Sequence, residues 1–278
     1  MSPSVKPVEI TKVTAGSSQV KPDLMAVEEP LEIRIGFGPI GDRTQKSLSV
    51  TMRTPGHDYE LATGFLFTEG IIDSYNQVES IKYCEDVGKQ EERDNVVRVE
   101  LKPDVKLDMK KLQRNFYTTS SCGVCGKSSI EAVEVTCARI QDRIKIDKAV
   151  VHTLPDKLRE AQQIFEHTGG LHAVGLFDLS GKLLLTREDV GRHNAMDKII
   201  GASLFKGEIP LANTIMVVSG RASFELVQKA LRAGVPIMAA VGAPSSLAVT
   251  LAGDLGMTLM GFVRENSFNV YTGKERIS

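Results

Sequence analysis

The sequence predicts a mixed α/β protein, α+β over the chain as a whole, in which a small strand-rich unit precedes a longer unit of alternating strands and helices. Three features predict it. From Leu171 onward, short β-type apolar runs alternate with stretches of helical period. The first half instead carries paired short strands around one helical stretch. Between the halves, the Lys/Asp-rich stretch Lys102–Lys111 and a glycine-flanked Cys-x-x-Cys loop break both patterns. The expected organisation is a flexible lead-in over 1–24, a small α+β domain over 25–115, the cysteine loop and a connecting helix over 116–150, and an α/β domain over 151–278.

Residues 1–24 are polar, with Ser, Gly, Lys and Pro, and read as a loose lead-in. Leu31–Ile35 and Ser47–Met52 read as strands joined by a Gly/Pro/Asp-rich turn. Leu61, Phe65 and Leu66 then mark a helix, with Asp58 as its N-cap and Glu69-Gly70 as its stop. Val78–Tyr83 and Val96–Leu101 form a second strand pair. Ser128-x-x-Glu131 reads as a capping box opening a short helix through Ala132–Val135, and Pro155–His167 as a longer helix ended by Gly169-Gly170. Leu171–Phe177 and Lys182–Thr186 read as a hairpin, followed by a helix at Asn194–Leu204. Strands at Thr214–Val218, Pro236–Val241 and Met257–Val263 alternate with helices at Phe224–Arg232 and Ser246–Leu255. That alternation implies crossover connections and a mostly parallel sheet.

The composition excludes several functions. A net charge of −1 over 278 residues speaks against a general nucleic-acid binder, which needs an excess of Lys and Arg over the phosphate backbone. No apolar run approaches the ~20 residues that span a bilayer. The N-terminus shows no secretory pattern. Four cysteines, two of them in one Cys-x-x-Cys, suit a reducing compartment better than a disulfide scaffold. A cytoplasmic location is expected, with neither nucleic acid nor membrane as partner.

The Cys-x-x-Cys stands in Ser121-Cys122-Gly123-Val124-Cys125-Gly126. Two thiols at this spacing hold a metal, cycle as a disulfide, or carry sulfur as a persulfide. Lys127 and the following helix start both favour thiolate, the reactive form. A closed zinc site needs four ligands, and no second Cys-x-x-Cys is present, although Cys84 and Cys137 are available. A thioredoxin-type dithiol normally follows a strand in a βαβ setting, often beside a Trp that this chain lacks. The carrier thiol is favoured, and no permanent metal is expected.

In an open α/β sheet, ligands sit beyond the carboxyl ends of the strands. The loops expected there are rich in polar groups: Arg187 to Asn194, including Arg192 and His193; Ser219-Gly220-Arg221; Gly242-Ala-Pro-Ser245-Ser246; and Phe262-Val263-Arg264-Glu265-Asn266-Ser267. Glycine admits close backbone approach, serine supplies hydroxyls, helix N-termini supply N–H groups, and arginine supplies a bidentate fork. Together they describe a pocket for a phosphorylated, nucleotide-bearing ligand. Taken singly, Gly-Ala-Pro-Ser-Ser is ordinary turn and cap chemistry. His57, His152, His167 and His172 lack the charged company of His193 and read as structural.

These segments together resemble the FdhD/NarQ family of formate dehydrogenase accessory sulfur carriers. The matching stretches are Ser-Cys-Gly-Val-Cys-Gly-Lys at 121–127, Thr-Gly-Gly-Leu-His-Ala at 168–173 and Glu-Asp-Val-Gly-Arg-His-Asn-Ala-Met-Asp-Lys at 188–198. Ser-Gly-Arg-Ala-Ser at 219–223, Gly-Ala-Pro-Ser-Ser-Leu-Ala at 242–248 and Gly-Phe-Val-Arg at 261–264 extend the match, as do Phe-Asn-Val-Tyr at 268–271 and the helix around Ala62–Ile72. The resemblance runs from about residue 26 to the end.

The resemblance implies a function. Such proteins accept sulfur from an L-cysteine desulfurase and pass it to the molybdenum cofactor, as bis-molybdopterin guanine dinucleotide, before its insertion into the formate dehydrogenase apoenzyme. Cys122 would bear the persulfide, with Cys125 its partner, making the chain a sulfurtransferase. Phe262–Ser267 would fall on the cofactor-binding segment, and a guanine nucleotide would mimic the cofactor. The implied fold is a three-layer, cytidine deaminase-like C-terminal domain, in a homodimer. Deaminase chemistry itself does not fit, since that reaction needs His/Cys-x-Glu and a later Pro-Cys-x-x-Cys on zinc, whereas His193 precedes Asn194-Ala195 and the proline is missing. The rival functions are a cofactor chaperone that moves no sulfur and a zinc-binding deaminase-like protein.

Overall fold

The structure, a computed structural model, describes residues 4–84, 90–107, 137–142 and 144–278. The Cys122/Cys125 loop, the capping box after it and the short helix through Val135 lie outside the described residues.

The first described element corrects the sequence reading. The stretch expected as a flexible lead-in forms a long hairpin, β1 (Val5–Thr14) paired antiparallel with β2 (Ser17–Ala26), turning at Ala15-Gly16. Its side chains are mostly exposed, so it lacks the half-buried alternation by which strands are read from sequence.

The small sheet follows, in the order β4-β3-β6-β5. It is built from β3 (Glu29–Phe37), β4 (Thr44–Arg53), β5 (Val78–Tyr83) and β6 (Val96–Leu101). Leu31, Ile33 and Ile35 alternate along β3, and Val97, Val99 and Leu101 along β6, to supply the buried face. Helix α1 (Asp58–Thr68) packs on that face through Leu61 and Leu66, each contributing about 1.5–3 kcal/mol by burial. Asp58, expected as the N-cap, is instead the first helical residue. Its buried carboxylate accepts hydrogen bonds from Arg53 Nε and Nη2, while the cap position falls to His57 in a left-handed conformation with φ 59°.

The larger sheet has the order β12-β11-β10-β9-β7-β8, from β7 (His172–Asp178), β8 (Leu183–Asp189), β9 (Thr214–Val218), β10 (Ile237–Ala240), β11 (Thr258–Gly261) and β12 (Asn269–Thr272). It is mixed rather than mostly parallel. Strands β9, β10 and β11 are parallel, whereas β7 is antiparallel to both β8 and β9, and β12 is antiparallel to β11. The hairpin read at 171–186 brings β7 in beside β9 in the opposite sense, so only the three strands linked by helical crossovers run together.

Both faces of this sheet are covered, and the strand sequences show why. Ile215 and Val217 face one side and Met216 and Val218 the other, as period-two alternation requires. The first side receives α2 (Lys148–Glu160) through Val151, Leu154 and Leu158, one stripe at helical spacing. The second receives α4 (Arg192–Phe205), α5 (Phe224–Arg232) and α6 (Ser246–Asp254). The helix expected over Pro155–His167 is two helices, α2 and α3 (Gln163–Thr168), parted at Ala161-Gln162. Helix α2 starts earlier than expected because Asp147 caps it, its Oδ1 accepting from Ala149 N at 2.8 Å, and Pro155 sits inside it.

Helix α1 crosses α4 in close contact, which joins the two sheets. One cluster of buried residues therefore runs from Leu31 and Val99 of the small sheet to Met216 and Leu259 of the large one. Among the described residues no helix is long and apolar enough to cross a membrane.

Candidate functional site

Register places the polar loops together. Val174 pairs with Val218, His172 with Asp189, Ala240 with Val218, and Met260 with Ala239. The start of β7 and the ends of β8, β9, β10 and β11 thus share one edge of the large sheet. The loops after β8, β9, β10 and β11 all leave from it.

Backbone hydrogen bonds zip three of these loops to one another. Gly242 N donates to Gly220 O at 2.8 Å, Phe262 N to Gly242 O at 3.1 Å, and Ala222 N to Ala243 O at 3.1 Å. Gly242 is required there, because a Cβ would lie 2.9 Å from Arg221 N and 3.0 Å from its Cα. Phe262 adopts φ 53°, an outlying conformation for an aromatic residue. The turn it makes leaves Phe262 exposed while Val263 enters the core, its N–H donating to Ala240 O at 3.1 Å.

The sequence-derived residues divide by what they do. Ser219, Val263, Arg264 and Glu265 line a cleft of about 540 Å³ between α2, α3 and the sheet edge, a size typical of small-ligand sites. Gly220 lies against the imidazole of His172. Arg264 also holds its own loop, with Nη1 donating to Val241 O at 2.7 Å and Val263 O at 2.8 Å. Ser267 O accepts from Arg264 N at 2.8 Å, and Asn266 is exposed beside it. Ser245 caps α6, its Oγ accepting from Ala248 N at 3.3 Å, and Ser246 is exposed. Arg221 is exposed at the rim. His193 Nε2 sits 3.3 Å from both Ser223 Oγ and Glu225 Oε2. The Nε of Arg192 is buried with no hydrogen-bond partner among the described residues. Cys122 and Cys125 fall outside the described residues.

Much of the loop after β8 is structural. Asp189 is fully buried, its Oδ2 2.7 Å from Lys198 Nζ, while Oδ1 accepts from Gly191 N and Asn194 Nδ2. Lys198 Nζ donates to Thr54 O, and Thr54 N donates to Asp189 Oδ2, so this cluster pins β4 to α4. Asp197 is likewise spent on Lys229 and Thr68. The long 188–198 motif is therefore largely fold-holding; Arg192 and His193 at its centre are not among the residues that line the cleft, and their charges act on His172, which does.

His172, read as structural, is among the residues that line the cleft. Burial pushes its pKa down, and the charges of Arg192 and His193 push the same way against Asp189. Arg159, Gln162 and Asp156 of the opposite wall were also missed. Arg159 stacks on the Phe165 ring at 3.9 Å. The available signal was the Thr-Gly-Gly-Leu-His-Ala stretch, whose glycines border the cleft at Gly169 and Gly170. Among the described residues no group of three His, Cys, Asp or Glu side chains is placed to hold a metal.

Fold and cleft define an α/β protein whose candidate site is assembled from loops along one edge of a mixed sheet, with both charge signs in its walls. The family model described as the FdhD/NarQ family matches residues 26–278. The chain is 49% identical over 271 residues to the protein named sulfur carrier protein FdhD of Mycolicibacterium paratuberculosis, covering 96% of this chain and 97% of that one. The protein of the same name from Sulfurisphaera tokodaii is 42% identical over 273 residues, covering 98% and 99%. A crystal structure of a candidate formate dehydrogenase accessory protein from Desulfotalea psychrophila matches with a TM-score of 0.77 at 25% identity, covering 99% of this chain and 100% of that one. The chain belongs to the FdhD/NarQ family.

Proposed function

We propose that this chain is a sulfur carrier of formate dehydrogenase maturation, loading sulfane sulfur on Cys122 and delivering it to bis-molybdopterin guanine dinucleotide. The observation that carries this reading is the 49% identity, across 96% of the chain, to a protein named as a sulfur carrier. In the loading step the Cys122 thiolate attacks the outer sulfur of a desulfurase persulfide. One S–S bond forms as another breaks, the donor cysteine leaves as thiolate, and no external oxidant is consumed. Attack of Cys125 on the inner sulfur would then release hydrosulfide and leave a Cys122–Cys125 disulfide.

The cleft is the proposed cofactor site. Arg159 and Arg264 suit phosphates, and Ser219 and the glycine-rich walls admit close approach. The guanine dinucleotide arms account for phosphate-binding chemistry on a chain with net charge −1. The proposal includes an L-cysteine desulfurase and the formate dehydrogenase apoenzyme as partners, a homodimer as the working form, and a cytoplasmic location.

Intact mass tests it directly. After incubation with a cysteine desulfurase and L-cysteine, a reductant-labile gain of about 32 Da on Cys122 is expected. Cys122→Ala should abolish the gain while leaving GDP binding intact. No gain from a competent desulfurase, with both thiols open to alkylation, would overturn the carrier reading.

A further inference from the structure

The cleft has an unassigned wall. His172 opens β7 at the sheet edge, half-buried, with Gly220 against its ring and Ser219 beside it in the cleft lining. Neither ring nitrogen has a hydrogen-bond partner among the described residues. The neighbouring Arg192 leaves its buried Nε unpartnered as well. The Arg192 Nε is a buried donor of the kind that is normally satisfied, whereas the half-buried His172 imidazole lines the cleft and is open to a ligand there. The cleft walls carry the carboxylates of Asp156 and Glu265 against the guanidinium groups of Arg159 and Arg264. Asp189, the carboxylate whose charge acts on His172, is already paired with Lys198 and bonded to Gly191, Asn194 and Thr54.

We propose that His172, in a cleft also lined by Arg159 and Arg264, is an anion-contacting residue, its imidazole donating to a phosphate of the bound ligand and binding a proton as that ligand enters. The inference rests on the cofactor reading of the cleft. It adds a residue which that reading does not need and a proton linkage which it does not predict. The groups facing His172 are Arg192 and His193 from α4, Asp189 from β8, Asp156 and Arg159 from α2, and Arg264 and Glu265 from the loop after β11. In the free protein, burial and then the charges of Arg192 and His193 lower the pKa of the imidazole, against the opposing pull of Asp189. An entering phosphate reverses that balance by placing further negative charge beside the imidazole. Binding then tightens as pH falls, with proton uptake in the range where a histidine titrates.

Calorimetric titration of the full chain with GDP, at about pH 6 and about pH 8 in buffers of differing ionisation enthalpy, tests this. The wild-type protein should bind more tightly at the lower pH and take up protons beyond those owed to GDP itself. His172→Gln should bind roughly tenfold more weakly near pH 6, lose the extra uptake, and approach the wild type near pH 8. Its melting temperature should match the wild type; if it does not fold, His172→Asn carries the same comparison. Equal affinity and equal proton uptake in wild type and variant would overturn the role of His172. No GDP binding by the wild-type protein would instead overturn the cofactor reading of the cleft, and the inference with it.

Discussion

Asp189 and Lys198 form an ion pair with 2.7 Å between Oδ2 and Nζ, and neither side chain is more than 1% exposed. The surrounding hydrogen bonds to Thr54, Gly191 and Asn194 leave the carboxylate fully satisfied. Removing one partner strands the other charge in the interior. Lys198→Met should cost about 3–5 kcal/mol in urea unfolding, and replacing both residues with apolar ones of similar volume should cost less.

Gly64 of α1 and Gly201 of α4 let the two helices cross backbone to backbone. A methyl group on Gly64 would overlap Asp197 O, and one on Gly201 would overlap Glu60 O. Neither obstacle is a flexible side chain, so the helices must separate. Gly64→Ala and Gly201→Ala should each destabilise by about 3 kcal/mol, the upper end of overpacking costs, read from the shift in denaturant midpoint.

Glu60 links stability to pH. Burial alone would raise its pKa, but hydrogen bonds and charge from Arg187 and His57 hold it down to about 2, against an ordinary 4.5. A depressed folded-state value means that the linked stability is present above about 4.5 and is lost as pH falls from there toward 2. Arg187→Gln should therefore be less stable than the wild type by roughly 1–3 kcal/mol at neutral pH. The gap should close across the acid range in unfolding curves taken at successive pH values.

Ser245 separates cap from ligand chemistry. Its Oγ satisfies Ala248 N at the start of α6, so Ser245→Ala should cost about 1 kcal/mol of stability. GDP affinity should be unchanged if capping is its whole contribution, which the same titration reads.

The second half of the fold was legible because its strands are short, bounded and β-rich, and the helices between them keep period. Thr214–Val218 and Phe224–Arg232 match the expected bounds. The N-terminal hairpin was not legible, since a ribbon with mostly exposed side chains leaves no burial pattern to read. Edge strand β12 was missed because four residues, half of them exposed, carry too little signal. At the candidate site, loop chemistry pointed to one edge of the sheet, and the structure gathers those loops there. It could not separate Asp189, spent on Lys198, from Arg264, which lines the cleft, because polar residues that hold a fold and those that border a cavity look alike until partners are known. His172 shows the converse: with no charged residue adjacent in sequence it looked inert, and its company comes from α4 and α2 through the tertiary fold.

The shared core under α1 and α4 has a consequence for dissection. Leu31 and Val99 are buried in the same cluster as Met216 and Leu259, so neither sheet keeps a complete interior without the other. The two halves should melt in one cooperative transition. A fragment beginning near residue 151 would carry the whole cleft wall yet expose the face of α4 that α1 now covers. Minimal pieces of this chain therefore make poor reagents, and partners should be sought with all of it.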